Sequence, residues 1–571
     1  MYVNSRRIPL NVLPRAVQKS AVLVIVLTVC AVVFAPTRGD SAPASVDVNR
    51  RVLELRTLHR EIPHTSPWQV GAAGRSLRPA VYLGRNTYLS FEPAMPRAFG
   101  STLRFPRDLE LSAHLLHADP QIGLNLVRVD RQGYEATGWQ EPERTVLAEN
   151  FDYNQRGKGV DLIGYGADFD RGLRRHTVFV EGMRAARFPE IAGHWARELP
   201  VLQFSGWTPG IRAGDLLFTG SELVAIVLRF DPNDRYGFAL PASMIAGYVH
   251  RVLAVDADKP ARTKDAEKAS RAKDVENIAR GKAALAQVDV SVICDPGFRG
   301  EAISSPAART YYGLKPGSEG AVLVTRVMPY LRVLRDRLRT GDVIVGVNGR
   351  RLGPGGTFAD SRFGELPITA LLGFNAGRPT SPGTVVKLEV SRDRQLRTVE
   401  FELHPHQPAY VRVPTRFNRP AYLITGGLVL VELSEEYLSE LQSPAPPRLE
   451  FLAREHRLDD QPEGSRYVIL DRILPVEFNA AYSGTAGPLL VQSLNGVAVR
   501  SLTHLKTMMQ DQLKAGEDLA FGLEGGRLIV LPGDDHGTAL NAADARVRAR
   551  HGIPFLQANL DRAGDDEAST D

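Results

Sequence analysis

The chain has 571 residues, 43% of them hydrophobic and 24% charged, with two cysteines. These values sit near the globular average and exclude a wholly disordered chain, a fibre or a disulfide scaffold. The net charge is +5, but residues 1–44 carry five Lys/Arg and one Asp, which leaves 65 basic against 64 acidic residues elsewhere. The basicity is therefore terminal, and a nucleic-acid surface is not expected.

Arg6, Arg7, Arg15 and Lys19 precede an uncharged run over 21–35. Positive residues followed by an apolar run are the layout of an export signal, with Ala42-Pro43-Ala44 as a small-x-small cleavage motif. The run is short for a membrane span of ~20 residues. Signal peptide and N-terminal anchor both stay open for 1–44. Either one puts the remainder in a periplasmic or other extracytoplasmic space, with membrane contact only through this segment. Residues 45–75 are polar and turn-rich and read as a linker.

From 76 to 256 the chain alternates short apolar runs with Gly, Pro and Asp, as in GLNLVRV (123–129) and LVAIVLRF (223–230). Many short strands with regular turn signals predict a β-barrel or sandwich. Residues 257–285 are rich in Ala and charged residues and predict a solvated helical linker. Two mixed regions follow, 286–410 and 411–560. The first holds a strand at 320–327, a short helix at 328–339, a strand with an Asn-Gly turn at 341–349, and a hairpin over 384–403. The second repeats a strand with an Asn-Gly turn at 487–496, then a helix at 503–513. The recurrence predicts two related modules. Residues 561–571 form an acidic tail without activity.

The motifs ARTYYGL, GAVLVTRV and GDVIVGVNG, together with PAYLITGGLVLVELSEEYL (420–438), resemble the PDZ part of the HtrA/Deg serine endopeptidases, above all the plant-type Deg branch. The resemblance runs from Ala307 to about Pro554. More faintly, HADPQIGLNLVRVD, LQFSGWTPGIRAGDLL and YGFALPASMI are similar to segments of that family's protease domain, in family order. It implies a mainly β chain with α+β modules: a trypsin-like double β-barrel followed by two PDZ-like domains. It also implies a polypeptide partner, and family members often form trimers or larger assemblies. In the first PDZ module, the resemblance assigns carboxylate capture to the Tyr311-Tyr312-Gly313-Leu314 loop. It assigns the receiving strand to Val322, Leu323, Val324 and Thr325. The second module has no evident carboxylate loop and reads as structural or assembly-mediating.

Carried over position by position, the family's His, Asp and Ser fall on Pro93, Gly123 and Arg212. Serine attack needs a hydroxyl, a base and an orienting carboxylate. None of these three residues supplies one. The expectation is a catalytically inactive homologue that binds peptide C-termini or unfolded segments as adaptor, scaffold or chaperone in protein quality control. The alternatives are an active endopeptidase with a relocated nucleophile and a purely structural subunit. Ser205, Ser221, His114, His117, His176 and Asp119 are the available substitute chemistry, and no nucleophile motif surrounds the two serines. His114 and His117, three apart on an apparent strand, face opposite sides, which opposes a shared metal. No cofactor or metal is expected.

Overall fold

The computed structural model describes residues 48, 50–60, 63–69, 71–93, 98–105, 109–119, 122–130, 139–165, 172–188, 198–206, 210–257, 294–314, 320–327, 334, 337–375, 378–405, 420–441, 446–454, 465–482, 487–533, 537–554 and 557–558. Segment 1–44, residues 258–285 of the charged stretch and the tail 561–571 lie outside the described residues, as does most of the helix expected over 328–339.

The first six strands are β1 (Val52–Arg60), β2 (Ala73–Gly84), β3 (Thr87–Phe91), β4 (Ala98–Arg104), β5 (Glu110–Asp119) and β6 (Leu124–Val129). They close an antiparallel barrel in the order β1-β2-β3-β6-β5-β4. The predicted linker 45–75 is thus corrected: Val52–Arg60 is a full barrel strand, paired with β2 and β4. Its charged residues hid it. Glu54 is buried and ion-paired to Arg56 at 2.5 Å, while Val52, Leu53 and Leu55 fill the core. In β5 the register shifts between Leu115 and His117. Such a bulge re-aims side chains from strict alternation.

The second barrel uses β8 (Gly159–Tyr165), β9 (Leu173–Ala186), β10 (Leu199–Ser205), β11 (Leu216–Thr219), β12 (Glu222–Asp231) and β13 (Tyr236–Pro241), with the short β7 (Val146–Leu147) added in parallel to β12. The ring β11-β8-β9-β10-β13-β12 closes through the β11–β12 pairing. Leu223 through Leu228 are all buried, on both faces of β12. The continuous apolar run follows from that, because one face lines the barrel while helix α1 (Ala242–Ala257) packs against the strand.

The next region contains β14 (Cys294–Asp295), β15 (Phe298–Ala302), helix α2 (Pro306–Tyr311), β16 (Val322–Val327), β17 (Val343–Val347) and β18 (Arg350–Arg351). It continues with β19 (Thr357–Asp360), β20 (Gly364–Pro367), α3 (Ile368–Leu371), β21 (Phe374–Asn375), β22 (Arg378–Pro379), β23 (Val385–Arg392), β24 (Gln395–Glu402) and β25 (His404–Pro405). The main sheet runs β15-β16-β17-β23-β24, with β18 beside β17. The hairpin expected over 384–403 forms as β23 and β24. The side chain of Arg392 forks onto both oxygens of the buried Asp342, at 2.7 Å each, tying β23 to the turn before β17. The β19–β20 hairpin leaves this sheet: Phe363 and Leu366 join the core of the double barrel.

The last region holds β26 (Tyr422–Thr425), β27 (Leu428–Glu432), α4 (Glu435–Glu440), α5 (Pro447–Arg454), β28 (Val468–Ile473), β29 (Leu489–Leu494), β30 (Val497–Ala498), α6 (Leu502–Lys514), β31 (Leu519–Leu523), β32 (Arg527–Leu531), α7 (Thr538–His551) and β33 (Gln557–Ala558). The sheet order is β32-β31-β29-β28-β27-β26-β33, with β30 beside β29. The expected repeat is visible as a shared path: β15, β16, β17, β23 and β24 correspond to β27, β28, β29, β31 and β32. Both Asn-Gly turns adopt positive φ, at Asn348 (49°) with Gly349 (77°) and at Asn495 (46°) with Gly496 (79°). Each Asn side chain also accepts an amide of the next long strand or its lead-in, Lys387 at 2.9 Å and Ala520 at 2.6 Å.

Candidate functional site

The segments carrying Pro93, Gly123 and Arg212 meet between the two barrels. Glu92 N donates to Gly123 O at 3.0 Å, which sets Pro93 beside the β5–β6 turn. Asn125 Nδ2 seals that junction by donating to the carbonyls of Glu92 and Gly123, at 2.9 and 3.1 Å. Gly123 has a φ of +70°, and a Cβ there would lie 2.6 Å from the Phe91 ring. Close approach and conformation both demand glycine at this position. From the second barrel, a Cβ on Gly214 would sit 3.3 Å from Phe91 O, so the Arg212 loop closes on the end of β3.

The Arg212 loop is self-bonded. Arg212 N donates to Asp215 Oδ2 at 2.9 Å, and Asp215 N donates back to Arg212 O at 3.1 Å. An oxyanion site needs amides aimed outward at the reacting atom. The amide at this position is instead turned in on a carboxylate of its own loop. Burial raises the Asp215 carboxyl to about 7, against the pull of the Arg212 amide and of the Arg174, Arg212 and Arg78 guanidinia. Arg78 Nε lies 3.4 Å from the buried Glu92 carboxylate. The junction is thus a set of arginines and buried carboxylates, a composition suited to holding two barrels together or to pairing with a carboxylate ligand.

The predicted carboxylate loop is corrected. Tyr311 ends α2, and the next three amides cap it: Tyr312 N to Ala308 O (3.0 Å), Gly313 N to Thr310 O (3.0 Å) and Leu314 N to Arg309 O (2.9 Å). The last two bonds, with Gly313 at φ +70°, make a Schellman C-cap. These amides have no freedom to cradle a carboxylate. The predicted receiving strand is corrected too. Val322, Leu323, Val324 and Thr325 lie in β16, which pairs with β15 on one side and with β17 on the other. The sheet edge is β15, whose only strand partner among the described residues is β16. It is entered through Gly297 (φ 76°), and α3 packs beside it.

A PDZ domain family matches residues 411–558. Two curated relatives from Arabidopsis thaliana align at 26% identity. The putative mitochondrial protease Do-like 12 aligns over 150 residues, 26% of this chain and 26% of its own length. The chloroplastic protease Do-like 2 aligns over 254 residues, 44% of this chain and 39% of its own length. The chain thus spans well under half the length of the relatives it matches. Among solved structures, the HtrA-type protease AlgW with decapeptide is similar at 16% identity and a TM-score of 0.39, over 64% of this chain and 98% of that one. A serine endoprotease from Yersinia pestis is similar at 14% identity and a TM-score of 0.36, over 64% and 97%.

Residues 411–558 thus match a PDZ domain, and the relatives that align at 26% identity are Do-like proteases.

Ser205, His117 and His114 also have definite surroundings. Ser205 Oγ donates to Glu181 Oε1 at 2.5 Å, so its partner is a carboxylate and not an imidazole. His117 Nδ1 lies 3.2 Å from the Tyr248 hydroxyl, and His114 is exposed. No cluster of three or more metal-ligating side chains occurs among the described residues. No helix among the described residues is long and apolar enough to cross a membrane. One feature was missed by reading the sequence. In the ITGGLVL motif, Gly426 and Gly427 turn their amides onto the buried Asp544 carboxyl of α7, which burial raises to about 7. The paired glycines at positive φ (53° and 78°) were the available signal.

Proposed function

We propose that this HtrA/Deg chain captures polypeptide C-termini or unfolded segments through its first PDZ-like module, 286–410, and does not cleave them. The observation that carries the reading is the inter-barrel junction. Proline, glycine and arginine stand at the three aligned positions, and the Arg212 amide is engaged by Asp215. Arginine cannot lose its proton in a protein and is no nucleophile. Capture takes place along the β15 edge next to α3, by addition of an extended strand. The curated relatives are named as proteases, and this chain would keep their frame as an adaptor, scaffold or chaperone. Export through 1–44 and trimer-based assembly complete the reading, both drawn from the sequence layout and the family resemblance.

The test has two arms on the full chain. A fluorophosphonate probe should leave it unlabelled and casein should survive incubation. Labelling abolished by Ser205→Ala or another single serine change would defeat the inactive reading and favour an endopeptidase with a relocated nucleophile. For capture, a fluorescent peptide pool with free apolar C-termini should bind at least about tenfold more tightly than the same pool amidated. Equal binding would remove carboxylate capture.

A further inference from the structure

The connection between β1 and β2 reaches across to the last sheet. Its residues 63–69 form a turn, with Gln69 N donating to Ser66 O at 2.8 Å. Four side chains of the C-terminal module grip that turn, each by a different chemistry. The Glu440 carboxylate accepts the His64 amide on one oxygen at 2.8 Å and the Thr65 amide on the other at 2.9 Å. Thr65 Oγ1 adds a third bond to the same carboxylate at 3.0 Å. The Arg472 guanidinium donates to Thr65 O at 2.7 Å. The His64 ring, only 6% exposed, places Nδ1 2.8 Å from Ser434 Oγ. Trp68 meets the Tyr422 ring edge-on, with centroids 6.3 Å apart, and Pro67 is buried.

The gripping residues are themselves held in place. Ser434 caps α4 by accepting the Tyr437 amide at 3.1 Å, so its oxygen is fixed before His64 arrives. Tyr437 Oη donates to Asp471 Oδ1 at 2.6 Å, and Arg472 Nε reaches Asp471 Oδ2 at 2.5 Å. A site whose polar groups are fixed by their own neighbours loses little entropy on binding. Charge-assisted bonds to two amides and a carbonyl fix the path of the turn, while the imidazole and indole contacts select its side chains.

We propose that this face of the C-terminal module is a peptide-recognition site, and that its ligand is the chain's own His64–Trp68 turn. It works without strand addition and without a terminal carboxylate: a protein carboxylate reads two successive ligand amides. The occupied site straps the first barrel to the C-terminal module. A competing ligand would carry a His-Thr pair followed by Pro-Trp in a turn.

The test uses the full chain and a synthetic peptide of residues 61–70, EIPHTSPWQV. In one variant, residues 63–69 are replaced by a Gly/Ser loop of equal length. Labelled peptide should bind this loop-replaced chain, and wild type should bind it at least about tenfold more weakly because the site is filled. Adding Glu440→Ala to the loop-replaced chain should lower its affinity at least about tenfold. Equal binding to wild type and loop-replaced chain, or no binding to either, overturns the proposal. Hydrogen exchange covers the case in which the loop-replaced chain fails to fold. The His64 and Thr65 amides should be protected in wild type, and Glu440→Ala should speed their exchange by about tenfold or more. Unprotected exchange at both amides in wild type would also overturn it.

Discussion

The two C-terminal sheets share one strand path and differ at one edge. In the first, β15 ends the sheet with a single strand neighbour among the described residues. In the second, the corresponding β27 is covered by β26, and β33 is added beyond it. An uncovered strand edge is a template for an incoming chain, and a covered one is not. The amide turn before β27 is directed at Asp544 from the same chain. Among the described residues, one module therefore ends in a strand with one neighbour, while the other covers that edge and grips a turn on a different face. Shared topology did not bring a shared edge, because β26 and β33 are added to the last sheet.

Five substitutions should sharpen that contrast. The largest effect is expected from Phe298→Ala. Phe298 opens β15 and is fully buried in the core of the first module, so the change should cost about 3–5 kcal/mol by denaturant titration. Peptide capture should fall with it, while protection of the His64 and Thr65 amides, which the last module holds through Glu440, stays. Loss of both together would show that the modules are not independent.

Asp544→Asn should produce the next effect, as a change of slope with pH. The folded carboxyl sits at about 7, above its unfolded value of about 3.9. Between those values the native state holds a proton that the unfolded chain has released. Stability contributed by the protonated group is therefore full below about pH 4 and is lost as pH rises towards 7, by up to about 4 kcal/mol. The asparagine variant should flatten that part of the curve. An unchanged slope in denaturant melts at pH 4, 5.5 and 7 would count against a buried carboxyl here.

The smallest effects belong to the turn glycines. Gly349→Ala and Gly496→Ala both place a side chain at positive φ in open space, and should each cost about 1 kcal/mol by thermal melting. Gly427→Ala meets Leu474 O at 2.1 Å as well, and should cost more than either. Equal costs at all three positions would mean that the β26–β27 turn yields easily.

Local, repetitive features were legible in the sequence. The Asn-Gly turns, the 384–403 hairpin and the helix at 503–513 each depend on residues close together in the chain. Features decided by distant partners were not. The strand Val52–Arg60 looked like linker because part of what neutralises Glu54, the Arg104 guanidinium of β4, lies in another strand. The β15 strand, FRGEA, has one buried apolar side chain and an exposed end, so no alternating pattern marks it. Tyr-Tyr-Gly-Leu misled for a physical reason: a helix C-cap and a carboxylate loop both call for glycine at positive φ between apolar neighbours. The grip on His64 joins residues 370 or more positions apart, and no local motif encodes it.

The closed Arg212–Asp215 loop bears on any attempt to engineer a serine nucleophile at 212. A hydroxyl grafted at 212 would inherit a peptide nitrogen already committed to Asp215. Building a serine hydrolase site here would therefore mean first releasing that carboxylate, then supplying an imidazole at Pro93 and a charged partner where Gly123 leaves no room beside Phe91. A serine site in this frame would therefore take several coordinated changes rather than one.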